Sequence, residues 1–312
     1  MKGIVVKSTG SWYIVRQENG ERIDCKLKGI YRIKGLKATN PIAVGDHVDF
    51  VLSDKEKTGM IVSIAPRSNY IIRKSINLSK QTHIIASNID QAVLIVTLAF
   101  PRTSTGFIDR FLITSAAYHI PVKIIFNKCD LFTKELKEHF EELQNVYIQA
   151  GYDCMVVSAT KKTNTEKFKD LLKGKTSLIS GHSGVGKSAL INAIEPSLNL
   201  KTASISLAHL KGIHTTTFAE MHELSFGGFV IDTPGIKELG LIDFKKEEIS
   251  HFFPEIFKHI HQCKFNNCLH THEAQCAVKE AVESGEIGQS RYDSYVSILN
   301  GDDLGVEEWE LK

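Results

Sequence analysis

The residues that promise chemistry begin with Gly181-His182-Ser183-Gly184-Val185-Gly186-Lys187-Ser188, which follow the spacing G-x-x-x-x-G-K-[ST]. Glycines at these positions let successive backbone N–H groups turn toward phosphate oxygens at the start of a helix. Lys187 would then set an ammonium against the β- and γ-phosphates, and Ser188 would offer a hydroxyl to Mg²⁺. An apolar run at 177–179 precedes the loop and a helical pattern at 189–194 follows it. A glycine-rich turn by itself would not need the Lys-Ser pair.

The phosphate loop does not choose between ATP and GTP, but Asn127-Lys128-Cys129-Asp130 does, since it ends the apolar run 122–126. An Asp carboxylate accepts from both N1–H and the 2-amino group of guanine. Adenine offers no donors there and would leave the acceptors unpaired. Ser158-Ala159-Thr160 closes the next run and is placed to give a backbone contact to the guanine oxygen. Asp232-Thr233-Pro234-Gly235 follows the run 229–231; Asp232 would hold Mg²⁺ through water and the Gly235 N–H would sense the γ-phosphate. Among Thr215–Thr217, one threonine should ligate Mg²⁺, and Thr216 is the favoured one.

These parts stand in an unusual order: the base-reading strings precede the phosphate loop, which precedes the switch threonines and Asp232. Such an order is a circular permutation of a G domain, the same sheet with its chain reopened elsewhere. A second constellation lies downstream. Cys263-x₄-Cys268-x-His270-x₅-Cys276 offers three thiolates and an imidazole, a full tetrahedral set for Zn²⁺ with no position left for water. Such a site holds structure rather than performing catalysis. His261 and His272 are spare, while Cys25, Cys129 and Cys154 read as packed singletons.

Elements must position these residues. The chain has 312 residues, 42% hydrophobic and 24% charged, which suits two or three folded domains and excludes collagen-like and wholly disordered classes. Short β runs at 4–7, 12–16, 22–27, 30–33, 47–52 and 60–64 predict a small antiparallel barrel of the OB kind over 1–69. Its first forty residues carry nine Lys and Arg, including Lys2, Lys7, Arg16, Arg22 and Lys26, against three acids. That excess fits an RNA-binding surface as well as a solvated basic face.

Apolar runs at 92–98, 122–126, 155–157, 177–179 and 229–231, with helix candidates at 107–118 and 134–150, predict an α/β domain with a parallel sheet over 70–240. Residues 241–312 predict a helical zinc-binding domain, with helices at 246–261, 277–285 and 291–299. No run of 18 apolar residues and no signal-peptide pattern occurs, so the expectation is a cytoplasmic protein without a membrane partner.

The permuted order, the GHSGVGKS loop, Gly212-Ile213-His214-Thr215-Thr216-Thr217, the Asp232–Gly235 string and the cysteine pattern together resemble the RsgA (YjeQ) family. The resemblance implies a monomeric GTPase that binds the small ribosomal subunit and its rRNA. It further implies hydrolysis of GTP to GDP during late subunit maturation, stimulated by the subunit. Where many small GTPases carry a water-orienting Gln after D-x-x-G, this chain has Ile236, whose side chain cannot align water. The nearest polar candidate is His214, to which the resemblance also points; Ile213 departs from the family's polar or basic residue there. On the residues alone a P-loop ATPase or kinase, and a non-enzymatic GTP-responsive RNA-binding module, stay open as alternatives.

Overall fold

The computed structural model describes residues 1–27, 41–53, 58–74, 82–200, 219–232 and 245–302. The expected strand at 30–33 lies outside them. Two compact units divide the chain: Met1–Val93 with Thr165–Ser180 and Lys187–Gly240, and Leu94–Asn164 with Gly181–Gly186 and Leu241–Lys312.

The first unit opens with five strands, β1 (Lys2–Ser8), β2 (Tyr13–Arg16), β3 (Arg22–Leu27), β4 (His47–Leu52) and β5 (Gly59–Ile64). They pair in the order β1-β2-β3-β5-β4, and β4 returns to β1, so the barrel closes. Only β3 and β5 among these pairs run parallel. Alternation sets the inside: along β3, Ile23 and Cys25 are buried while Arg22, Asp24 and Lys26 face out. Val5, Tyr13, Val15, Ile42, Val48, Phe50 and Ile61 complete this core. A Cβ at Gly59 would lie 2.5 Å from the Cys25 sulfur, so the close approach of β5 to β3 requires glycine there.

Two strands that the sequence did not announce follow, β6 (Tyr70–Lys74) and β7 (Thr82–Ser87), an antiparallel pair. Asp46 ties them to the barrel. Its fully buried carboxylate accepts from Arg67 Nε (2.6 Å) and Nη2 (2.7 Å), the Ala43 N–H (2.8 Å) and the Ser87 hydroxyl (2.6 Å). Next comes β8 (Gln91–Val96), buried throughout, whose first half belongs to this unit. Further along the chain lie β11 (Thr176–Ser180), β12 (Glu220–Glu223) and β13 (Phe229–Asp232). As expected, β11 and β13 are parallel; β12 adds an antiparallel neighbour to β13 and also meets β1. The helices of this unit are α3 (Thr165–Leu172) and α4 (Lys187–Ile194).

In the second unit β9 (Val122–Phe126) pairs parallel with β10 (Asp153–Val156). Its long helices are α1 (Thr105–Ala117) and α2 (Lys134–Gln149). Helix α1 starts two residues before the periodicity suggests because the Ser104 hydroxyl accepts from the Phe107 N–H. The segment 246–261 is not one helix. Pro254, which has no N–H to donate and disfavours a helical residue before it, separates α5 (Lys246–Ile249) from α6 (Pro254–Phe257). Then come α7 (Ala277–Glu283) and α8 (Gln289–Asn300), the latter ended by Gly301 at φ 80°. Phe253, Ile256, Val278, Ile287, Tyr295 and Ile298 form a core with Ile113 of α1.

A fully buried guanidinium crosses this core. Arg291 donates to Glu255 (2.6 Å) and Asp109 (2.6 Å), and the Tyr147 hydroxyl donates to the same Asp109 oxygen (3.0 Å). Burial alone would lower the Arg291 pKa, but the two carboxylates raise it well above its ordinary value.

Candidate functional site

Strand β9 leads into the Asn127–Asp130 string and the chain then turns sharply, with Lys128 in the left-handed region at φ 63°. Asn127 is buried and donates through Nδ2 to the Val185 carbonyl (2.8 Å). Lys128 Nζ donates to the Gly184 carbonyl (2.7 Å) and to that of Phe100. Two side chains of one string are therefore fastened to the backbone of the phosphate loop. Lysine's long stem suits this role, since its three donors reach two carbonyls from a single position.

Asp130 stands exposed, and one of its oxygens accepts from the Ser158 hydroxyl. That bond, chiefly, keeps its carboxyl below the usual range, so it is an ionised acceptor at neutral pH. Ser158 is itself fixed: its oxygen accepts from the Lys161 N–H (3.1 Å) and lies 3.0 Å from the Thr160 hydroxyl, and its backbone pairs both ways with Thr163. Ala159, half-buried, follows it. The structure thus brings Asn127, Lys128, Asp130 and Ser158 together with Gly184 and Val185.

The loop itself has the backbone of a phosphate cradle. Gly181, Gly184 and Gly186 have φ of 141°, 83° and 93°, which L side chains rarely adopt. At Gly186 a Cβ would lie 2.5 Å from Asn127 Nδ2, and at Gly181 one would lie 2.2 Å from the Ile95 carbonyl oxygen. Ser183 is exposed, Val185 is buried beneath the loop, and the His182 ring packs 3.8 Å from that of Phe107 on α1. Lys187 and Ser188 are the first residues of α4, and Asp232 is the last residue of β13. His214, Thr215, Thr216, Thr217, Gly235 and Ile236 lie outside the described residues.

The second constellation is assembled as the spacing suggests. One ligand atom from each of Cys263, Cys268, His270 and Cys276 lies within 4.8 Å of the others. His270 Nδ1 is 3.5 Å from the Cys263 sulfur and 3.4 Å from that of Cys276, and those sulfurs are 4.0 Å apart. A tetrahedral ion with Zn–S of about 2.3 Å and Zn–N of about 2.0 Å needs edges of roughly 3.5–3.8 Å, so the donor set fits such an ion. Burial lowers the His270 pKa, which favours the neutral imidazole that ligates. Burial also raises the Cys268 thiol to about 12 in the absence of a cation.

The loop that carries these four residues is held by groups outside the donor set. Glu273 accepts from the N–H groups of Leu269 (2.7 Å) and Thr271 (2.8 Å), bracketing His270, whose φ is 57°. Burial would raise the Glu273 carboxyl, but those N–H groups, with its own, hold it near 2. Tyr292 donates to the His270 carbonyl (2.6 Å) and Tyr295 to that of Leu269 (2.9 Å). A Glu three residues after a ligand is the one sequence feature that could have suggested this bracket.

Comparison with known proteins agrees with this geometry. Residues 64–242 match the model of the RsgA GTPase family, and residues 2–61 match that of the RsgA N-terminal domain. The small ribosomal subunit biogenesis GTPase RsgA of Christiangramia forsetii is 55% identical over 314 residues, covering 99% of this chain and 100% of that one. Its namesake from Flavobacterium johnsoniae is 55% identical over 97% of this chain and 94% of its own length. The crystal structure of YjeQ from Thermotoga maritima superimposes with a TM-score of 0.80 at 37% identity, covering 96% of this chain and 97% of that one. YloQ, described as a circularly permuted GTPase, does so with 0.74 at 32%, covering 96% and 94%. The chain, with its closed N-terminal barrel, its Asn127–Asp130 and Ser158–Thr160 strings ahead of its glycine-rich loop, and its three cysteines and a histidine gathered near the end, belongs to the RsgA family of circularly permuted GTPases.

Proposed function

We propose that this GTPase works on the small ribosomal subunit, as the names of its relatives state for them, binding its rRNA and hydrolysing GTP to GDP and phosphate in late subunit maturation. The observation that carries the reading is the fastening of Asn127 and Lys128 to Val185 and Gly184, which joins a guanine-reading string to a phosphate loop. In this reading Asp130 accepts from N1–H and the 2-amino group, Ser158 keeps the carboxylate aimed, and the Ala159 N–H meets the guanine oxygen. Backbone N–H groups of Gly181, Ser183, Gly184, Val185 and Gly186 surround the phosphates, and Lys187 adds a cation. The Mg²⁺ that accompanies GTP neutralises charge between the phosphates. Ser188 and Thr216 would ligate it, Asp232 would hold its water, and the Gly235 N–H would face the γ-phosphate.

Phosphoryl transfer is governed by positioning and charge stabilisation, and Ile236 contributes neither to the attacking water. His214 takes that role, so hydrolysis is slow until the subunit brings its imidazole onto the attacking water. The division into 1–69, 70–240 and 241–312, each with its own task, is supported by the separate family matches to 2–61 and 64–242. Cys263, Cys268, His270 and Cys276 would hold one structural Zn²⁺, whose chemistry is to fold its own domain. The protein acts as a cytoplasmic monomer; among the described residues no helix is long and apolar enough to cross a membrane. Single-turnover hydrolysis of GTP and ATP, with and without small subunits, tests the reading. It expects hydrolysis of GTP alone, accelerated by subunits, and equal rates with and without them would overturn the ribosomal part.

A further inference from the structure

Two cations that composition assigns to the barrel's basic face are engaged elsewhere. Lys7 Nζ lies 3.0 Å from Glu220 Oε2. Arg16 donates through Nε (2.7 Å) and Nη2 to the two carboxylate oxygens of Glu223, and its guanidinium lies 5.5 Å from the centroid of the Phe229 ring. Glu220 and Glu223 are the two ends of β12.

The backbone register carries this contact further. Lys7 on β1 stands opposite Glu220 on β12. Glu220 stands opposite Asp232 on β13, and Asp232 opposite Ile179 on β11, two residues before Gly181. One row of cross-strand neighbours therefore leads from the barrel through the Asp232 position to the strand that feeds the phosphate loop. At the other end of β12, Glu223 stands opposite Phe229, the ring beneath Arg16. Strand β12 is four residues long, and Lys7–Glu220 is the register pair that joins it to β1. So short a strand depends on its side chains for a fixed place.

We propose that Lys7 and Arg16 are positioning residues for Asp232: through Glu220 and Glu223 they fix β12 against β13, so that the barrel sets the Mg²⁺ requirement of GTP hydrolysis. The proposal rests on the reading of Asp232 as the residue that holds the Mg²⁺ water. A partly exposed ion pair contributes little alone, but a two-toothed guanidinium–carboxylate pair over an aromatic ring is a stronger and more directional tie. Reversing the glutamates would oppose like charges across both contacts.

The test is the Mg²⁺ concentration that gives half-maximal GTP hydrolysis, measured on the full chain beside GDP affinity in Mg²⁺-free buffer. The variant E220K/E223R should raise the Mg²⁺ requirement about three- to ten-fold, as expected for two disrupted charge contacts. Its Mg²⁺-free GDP affinity should stay within about two-fold of the parent, because its changes lie on β12. The charge-swapped K7E/R16E/E220K/E223R should return the requirement most of the way to that of the parent, which a general loss of folding would not do. The neutral E220Q/E223Q pair keeps size and backbone and should shift the requirement in the same direction by less. D232N is the reference. If D232N leaves the requirement unchanged, the reading of Asp232 falls and the proposal falls with it. If D232N raises it while E220K/E223R and E220Q/E223Q do not, or the swap fails to restore it, the register row alone is overturned.

Discussion

At Asp130 a single hydroxyl, that of Ser158, holds the carboxylate proposed to read the guanine edge. Ser158 donates to one oxygen and Lys161, Thr160 and Thr163 hold Ser158 in turn, so the acceptor is aimed before any ligand arrives. Asp130→Asn should weaken GTP binding by about 10- to 100-fold, the worth of charge-assisted hydrogen bonds lost to an unmatched donor. It should also improve relative affinity for the xanthine nucleotide, whose 2-oxo group accepts where guanine donates; competition between the two nucleotides measures both effects. Lys187→Ala should impair nucleotide binding itself. His214→Ala should instead leave GTP and subunit binding intact and lower the subunit-stimulated rate on the order of 10²-fold, as for a positioned water-orienting group. A stimulated rate like that of the parent would place the catalytic group on the ribosome.

Among the elements, the loop around His270 shows what the chain itself supplies to a donor set that fits a zinc ion. Cys268→Ser should cost the protein its zinc, measured as metal content after dialysis, and loosen residues 250–285 to hydrogen exchange while GTP affinity stays near that of the parent. Retention of one zinc per chain would count against the ligand set. That loop was legible in part. The four ligands are read from residue type and spacing, whereas Glu273 and the two tyrosines act on backbone groups, and such contacts leave no pattern in the chain. The same holds across the fold. Apolar runs announce β8, β9, β11 and β13 because both faces of these strands are covered. Strand β12 has one buried side chain, Met221, in four residues, and its neighbour β1 lies more than two hundred residues away. Nothing local marks it. Charge counting likewise put Lys7 and Arg16 on a basic face, because composition carries no direction.

Across the whole molecule, the two compact units are each held by a buried ionic hub. In the first, Asp46 has every oxygen answered by Arg67, Ser87 and a backbone N–H. In the second, Arg291 binds helices α1, α6 and α8 through Asp109 and Glu255. Arg291→Met should destabilise that unit by about 3–5 kcal/mol, because two buried carboxylates would lose their cation. Urea unfolding followed by the aromatic residues would measure it. Adding Asp109→Asn and Glu255→Gln should recover part of the loss, since uncharged partners no longer need a cation. A second long-range tie has a consequence in time. The barrel strands end at Ile64, so they can close once the first 64 residues have left the exit tunnel of a translating ribosome. The partner that covers the Lys7 end of β1 is 213 residues further along. At about 5–20 residues per second, that edge waits roughly 10–40 s for Glu220. Each new copy of the protein thus spends the middle of its synthesis with Lys7 and Arg16 unclaimed, and nascent chains arrested at 150 residues should bind anionic polymers more tightly than chains arrested at 270.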